Sequence, residues 1–189
     1  MGSTYDSILE TSRKLFLGRG YAATSMRQIA DGCGIAKATI YHHFPDKESI
    51  LLALLEATKE GQKAMLAAVR AEEDPRSRIE TAARENLRLL ASISGIMQLA
   101  RRELPKGREL TQRNYGPMMR EFRSLLVEAI AKGKARGLFR SVDAEKAATV
   151  FMAMLQGSVA EAMLGDGSIP SPEARAEAIL DVFFNGVAK

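Results

Sequence analysis

The stretch Cys33–Phe44, CGIAKATIYHHF, constrains the fold of this chain more than any other part of it. It starts in a glycine-bracketed turn, Gly32-Cys33-Gly34, which joins two short helical patterns. Ile40 and Phe44 lie four apart and share one helical face, while Lys37, Thr39, Tyr41 and His42 fall on other faces. A cation, a hydroxyl, a phenol and an imidazole on so short a helix form a surface that can hydrogen-bond phosphates and base edges. The pattern predicts the second helix of a helix-turn-helix, held in place by its two buried residues.

Bulk charge supports a nucleic-acid partner only weakly. The chain carries a net charge of +4, but its first 48 residues hold six basic side chains against five acidic ones. Such a balance permits binding to DNA without demanding it, so the expectation rests on the motif and the placement of charge. At 189 residues the chain is long enough to bury a real core, as one large domain or two small ones. A single cysteine, Cys33, excludes an internal disulfide framework and fits a reducing compartment. No apolar run approaches the ~20 residues of a membrane span, and no basic region followed by an apolar core marks a secretion signal. The expectation is a cytoplasmic protein with no membrane partner and no cofactor.

Helical periodicity runs through the whole chain, and no period-two strand pattern or internal repeat interrupts it. Ile8, Ser12, Leu15 and Phe16 keep the spacing of one buried face, predicting a first helix over 4–18 that Gly18 and Gly20 end. Ser25 and Gln28 form a Ser-x-x-Gln capping box for a second helix with the stripe Met26, Ile29, Ala30 and Cys33. Pro45 stops the third helix, and Asp46 is placed to cap a fourth running from Lys47 to about Val69. After the break at Asp74-Pro75, helical patterns cover Arg76–Ser92 and Gly95–Leu104. Pro105-Lys106-Gly107 reads as a turn, and Tyr115, Met118, Phe122, Leu125 and Ala129 mark a helix over 115–136 closed by Gly137.

The last two patterns differ from the others. From Asp143 to Leu164 the sequence is apolar nearly all round, with Ala147, Val150, Phe151, Met152, Met154, Leu155, Val159, Ala162 and Met163. A helix without a polar face is buried on more than one side. Gly157, Ser158 and Ala160 would let another helix approach closely. The final helix, capped by Ser171 with Pro172 at its first position, carries Ala176, Ile179, Leu180, Phe183, Phe184 and Val187. A second copy of the chain is the economical cover for such faces. The expectation is a two-fold homodimer through helices at about 143–164 and 172–187.

Several residues have simpler readings beside the sharp ones. His42 and His43 are adjacent, so they diverge on a helix, and no Cys, Asp or Glu at ligand spacing joins them as a metal site. His43 is better read as partly packed, and Cys33 as a small core residue. Arg101-Arg102 and Lys132-Lys134-Arg136 read as solvated faces. The chain shows no triad-like Ser/His/Asp set, no His-x-x-x-His, no Gly-rich phosphate loop and no Cys-x-x-Cys, which argues against an enzyme.

The run TSRKLFLGRGYAATSMRQIADGCGIAKATIYHHFPDKESILLALL resembles the N-terminal module of the tetracycline-repressor-like (TetR) transcription regulators. Phe16, Gly20-Tyr21, Thr24-Ser25, Ile29-Ala30, Gly34, Lys37, Thr39, Tyr41, Phe44, Lys47 and Glu48 carry the resemblance. Beyond residue 60 only the helix count and the Gly137-Leu138-Phe139 … Asp143-Ala144-Glu145 spacing look familiar. The resemblance implies an all-α chain of about nine helices: a helix-turn-helix DNA-binding domain over 1–46, and an effector-binding and dimerisation domain over 47–189. It further implies a homodimer that binds a palindromic operator on double-stranded DNA, acts as a repressor and is released by a small molecule. Mapped onto this chain, Thr24, Ser25, Tyr41, His42 and Lys47 would hold phosphates, with Arg27 a further candidate, and Lys37, Ala38 and Thr39 would face bases. Ala36 departs from the family, which often has a capping serine there; losing such a cap costs ~1 kcal/mol and leaves room for the recognition helix to order fully only on DNA. For the effector, Met65, Met97, Met118, Met119, Phe122 and Met152 could line an adaptable cavity, with Gln98, Asn114, Tyr115 and Gln156 as polar contacts. Ordinary core packing is the competing reading for each. An apolar or amphipathic molecule fits this set best.

Overall fold

The computed structural model describes residues 3–164 and 171–187, with side chains placed through residue 157 and from 171 to 185. Every regular element among the described residues is a helix: α1 (Thr4–Arg19), α2 (Met26–Cys33), α3 (Lys37–His43), α4 (Lys47–Ala71), α5 (Pro75–Glu103), α6 (Gly107–Ala135), α7 (Ala144–Leu164) and α8 (Pro172–Val187). The expected side chains start these helices. Ser25 Oγ accepts from the Gln28 amide at 3.2 Å, while Gln28 Oε1 accepts from the Ser25 amide at 2.7 Å, which closes the box at α2. Asp46 Oδ1 accepts from the Ser49 amide at 2.7 Å at the head of α4. Ser171 Oγ accepts from the Ala174 amide at 3.1 Å ahead of α8. Each bond satisfies a backbone donor that the first helical turn leaves unpaired.

Eight helices are described where the pattern suggested about nine, because 76–92 and 95–104 join into the single helix α5. Gly95 does not break that helix. A Cβ there would stand 3.0 Å from Leu17 Cδ2, so the missing side chain serves close packing between α5 and α1. Gly18 likewise lies inside α1, and Gly20, at φ 94°, ends it. Helix α6 begins at Gly107 rather than near 115, since the chain reverses at once through Lys106 at φ 54°. Pro117 sits inside α6 although it lacks the N–H that position would donate.

The chain packs as two compact units. The first comprises Met1–Lys59 with Ile93–Tyr115. Its core joins Ile8 and Phe16 of α1, Ile29 of α2, Ile40 and Phe44, and Ile50, Leu51 and Leu55 of α4 to Ile96, Leu99 and Ala100 of α5 and to Leu104 just after it. Each fully buried Ile, Leu or Phe contributes roughly 1.5–3 kcal/mol. The second unit comprises Glu60–Ser92 with Gly116–Lys189. Its interior includes Ile79, Leu87, Phe122, Leu126, Phe151 and Leu155. Phe183 of α8 lies against Phe151 of α7 at 4.7 Å between ring centroids, and Phe184 stacks on Phe139 at 5.9 Å. Helices α4, α5 and α6 each contribute residues to both units.

Along α7 the apolar residues divide. Ala148, Phe151 and Leu155 are buried, whereas Val150 on α7 and Val182 on α8 are 57% and 62% exposed. Gly157 meets nothing within 4 Å of a built Cβ. The side chains of Ser158, Val159, Ala160, Ala162, Met163 and Val187, read above as part of the same faces, lie outside the described residues.

Two substitutions test this packing. A Cβ at Gly133 would stand 2.1 Å from Phe139 Cε2, so Gly133→Ala should destabilise by about 1–3 kcal/mol through overpacking, despite the ~1 kcal/mol of helix propensity alanine adds. Thermal unfolding reads the sign; a raised Tm would mean the ring moves aside freely. Helix α3 has Ala36 at its N-cap and no side-chain cap bond. Ala36→Ser should therefore raise unfolding stability by ~1 kcal/mol in a denaturant titration, and no gain would show the cap position is already satisfied.

Candidate nucleic-acid interface

The reading surface is built by burying one side of a seven-residue helix. Ile40 is 0% and Phe44 4% exposed, which fixes the rotation of α3 about its axis. Gly34, at φ 65° in the left-handed region, ends α2 and donates its amide to Ala30 and Asp31 carbonyls, so the chain re-enters a helix almost at once. With that rotation set, Lys37, Ala38, Tyr41 and His42 are exposed, and Thr39 is half-buried. The Lys37 ammonium stands 5.7 Å from the Tyr41 ring centroid, so a cation and a phenol meet on one patch. Ser25 and Arg27 at the start of α2 are also exposed. Arg27 is loosely held by Asp31 at 3.8 Å, an exposed pairing worth little against a phosphate.

Two of the expected phosphate ligands also have partners within the protein. Thr24 is 2% exposed, and its hydroxyl donates to the Gly20 carbonyl at 2.8 Å, so its side chain clasps the α1–α2 loop and is not part of the reading surface. Lys47 donates to the Tyr21 carbonyl at 2.8 Å and lies 4.6 Å from the Tyr21 ring centroid. That pairing supplies a structural reason for a lysine at a helix start, where its charge opposes the dipole. The ammonium has two further N–H groups for a phosphate. Burial pushes the Tyr21 phenol up, and Glu48, Asp46 and Glu103 push it further, which keeps it neutral beside Lys47. His43, exposed, turns edge-on to Tyr5 at 6.5 Å, and Cys33 lies against the core with Sγ 3.5 Å from the Ser7 carbonyl; neither belongs to the reading patch.

The expected effector residues fall into both units. Met97, Gln98, Asn114 and Tyr115 belong to the first unit; Met65, Met118, Met119, Phe122, Met152 and Gln156 belong to the second. Gln98 and Gln156 are exposed, whereas Met65, Met118 and Phe122 are buried. Asn114 is buried and committed: its amide donates to the Leu55 carbonyl at 2.9 Å and its Oδ1 accepts from Thr58 Oγ1 at 3.1 Å. It ties α6 to α4.

A groove of about 390 Å³ in the second unit contains none of these ten residues; Val150 and Met154 of α7, Val182 and Phe183 of α8, Arg140 and Lys146 are among its lining. Met152 and Gln156 miss it because they lie two positions, about half a helical turn, from Val150 and Met154. Sequence reading also missed Asn86, which is 2% exposed in the second unit with no hydrogen-bond partner for its amide nitrogen among the described residues. Its signal was a lone amide at the spacing of the apolar face Ile79, Ala82, Ala83 and Leu87.

Comparison with known proteins agrees with this geometry. The family model described as bacterial regulatory proteins, tetR family, matches residues 8–54, and that of the BetI-type transcriptional repressor C-terminal region matches residues 104–188. An HTH-type transcriptional regulator of Bacillus subtilis strain 168, YerO, is 43% identical over 56 residues, 30% of this chain and 19% of that protein. The repressor KstR2 of Mycobacterium tuberculosis is 42% identical over 55 residues, 29% of this chain and 28% of its own length. These matches thus span less than a third of the curated relatives. Among solved structures, a protein described as a transcriptional regulator from Saccharomonospora viridis, in complex with choline, superposes with a TM-score of 0.76 at 26% identity over 98% of this chain and 97% of its own. KstR2 of Mycobacterium tuberculosis superposes at 0.68 with 21% identity over 100% and 97%, a likeness of fold. With a short reading helix on an all-α frame and both of its ends matched by models of such regulators, the chain belongs to the TetR family of bacterial regulatory proteins.

Proposed function

We propose that the chain is a ligand-responsive, DNA-binding regulator of transcription that acts as a repressor in the cytoplasm. In this reading residues 1–46 bind a palindromic operator, and residues 47–189 hold the effector and the dimer contact. One observation carries it: burial of Ile40 and Phe44 leaves Lys37, Ala38, Tyr41 and His42 together on the open side of α3. Ser25, Arg27, Tyr41, His42 and the free N–H groups of Lys47 then grip phosphates, which set register. Lys37, Ala38 and Thr39 face base edges; alanine admits a thymine methyl, and the lysine suits guanine O6 and N7. Thr24 acts indirectly, by holding the loop that presents Ser25.

Two copies joined through α7 and α8 would carry two heads, spaced for successive major grooves ~34 Å apart or a multiple of it. The exposed Val150 and Val182 support that face, because water-facing β-branched side chains on adjacent helices gain by mutual burial. Helix α4 runs unbroken from the head for 25 residues and can transmit a shift of spacing. An effector preferring one spacing would move the equilibrium only by its differential affinity for the two forms. The methionines of the second unit, with Phe122 and the Asn86 amide nitrogen, which has no partner among the described residues, suit an apolar or amphipathic small molecule with one acceptor. No catalytic role is assigned to the chain.

Selection of bound duplexes from a random pool should return a palindrome. Lys37→Ala and Tyr41→Ala should stay folded and dimeric yet each bind that duplex roughly five- to a hundredfold more weakly, since a good contact to a base or a hydrogen bond to a charged phosphate is worth about 1–3 kcal/mol. Unchanged affinity in both variants removes the assignment of the head. Val150→Asp with Val182→Asp should turn the dimer into monomers in analytical ultracentrifugation; a persisting dimer would mean the copies meet elsewhere.

A further inference from the structure

We infer that the turn between α5 and α6 is a second nucleic-acid contact, in which Arg101, Lys106, Arg108 and Arg113 meet the phosphate backbone of duplex DNA outside the reading head. The inference rests on the operator-binding reading above and adds to it a surface that the helix-turn-helix motif does not contain.

The distribution of charge points there first. The first unit holds seven basic and six acidic residues in 1–59, and five basic against two acidic in 93–115, giving +4. The second unit is neutral, with fifteen of each sign. All of the net charge therefore resides in the unit that contains α3, and most of it comes from the 93–115 segment. A head with a balance of only +1 gains its electrostatic attraction for a polyanion from this segment.

Pairing points the same way. Arg101, Lys106, Arg108 and Arg113 are exposed and have no ion-pair partner among the described residues. Arg102, the fifth cation of the segment, is held by Glu103 at 2.7 Å and is left out. In the second unit Arg78, Arg88, Arg123, Lys132 and Lys146 each meet a carboxylate, although Arg120, Arg136 and Arg140 likewise have no ion-pair partner among the described residues. Guanidinium groups without an internal partner are available to phosphate oxygens, which they can bind through two parallel bonds.

The turn is also fixed in place. Ala100 and Leu104 are buried in the same core as Ile40 and Phe44. A Cβ on Gly107 would meet the Ala100 carbonyl at 2.1 Å, so the chain reverses there in one geometry. Lys106 occupies that reversal at φ 54°, where asparagine or glycine would be less strained. Glu103 at the end of α5 bears on the Tyr21 phenol, and the Tyr21 carbonyl accepts from Lys47, so the residues that lead into the turn lie near the start of α4.

The test is the salt dependence of operator binding by the full chain, measured for Arg101→Gln/Lys106→Gln/Arg108→Gln against the parent. Removing each phosphate-bound cation should lower the slope of log K against log salt by ~0.9, so the triple variant should lose about two units or more of slope and bind at least tenfold more weakly at low salt. Its ranking of operator sequences should be unchanged. Arg101→Lys/Arg108→Lys keeps the charges and should keep the parental slope; a reduced slope there would assign the arginines a packing role and overturn the inference. A parental slope in the triple variant, with Lys37→Ala still defective, overturns it and leaves the head assignment standing. Loss of binding to phosphatidylglycerol vesicles with an unchanged duplex slope would assign the patch to a membrane surface and likewise overturn it.

Discussion

Burial of Ile40 and Phe44 determines which way α3 faces. Both belong to one core cluster with Ile8, Phe16, Ile29 and Leu55, which also takes in Leu99 of α5 and Leu104 just beyond its end. A seven-residue helix is too short to be stable by its own hydrogen bonds. With no side-chain cap at Ala36 it depends on this apolar contact for both its existence and its rotation. Turned by one residue, about 100°, α3 would bury Tyr41 and expose Ile40. The polar surface thus follows from the apolar one. Without α5 the core that holds α3 would be incomplete.

The polar residues nearest that surface divide by what else they touch. Lys37 and Tyr41 are exposed, Ser25 is exposed but bonded to Gln28 in the capping box, and Thr24 and Lys47 close the α1–α2 loop onto the start of α4. Asn114 shows the same division farther along, bonded through both ends of its amide to Leu55 and Thr58. A buried amide left unbonded would be costly, which is why Asn114 is engaged and why Asn86, whose nitrogen has no partner among the described residues, stands apart. Burial and hydrogen bonding together separate structural polar groups from available ones, and residue type does not.

Caps, breaks and apolar stripes were legible in the sequence because they are local. Ser25 with Gln28, Asp46 before α4 and Ser171 before Pro172 act within four residues of themselves, and each forms the bond its position implies. Glycines and the one internal proline were less legible. Gly18 and Gly95 lie within helices, and Pro117 sits inside α6, because a glycine can serve a helix end or a close approach and only the neighbouring helix decides which. The effector residues were the least legible, since Met118 and Phe122 look alike whether they pack a core or line a cavity.

By itself the sequence determined an all-α chain with a helix-turn-helix at its start, because 3.6-residue periodicity, capping pairs and the Gly34 turn are properties of neighbours along the chain. It also determined that Ile40 and Phe44 share a face opposite a polar one. Only the tertiary structure decided that Thr24 is buried, that Lys47 is shared with Tyr21, and that residues 93–115 bring their charge into the unit that carries α3. Those outcomes depend on which segments meet after the chain folds back, and contacts between residues dozens of positions apart leave no periodic trace in the sequence.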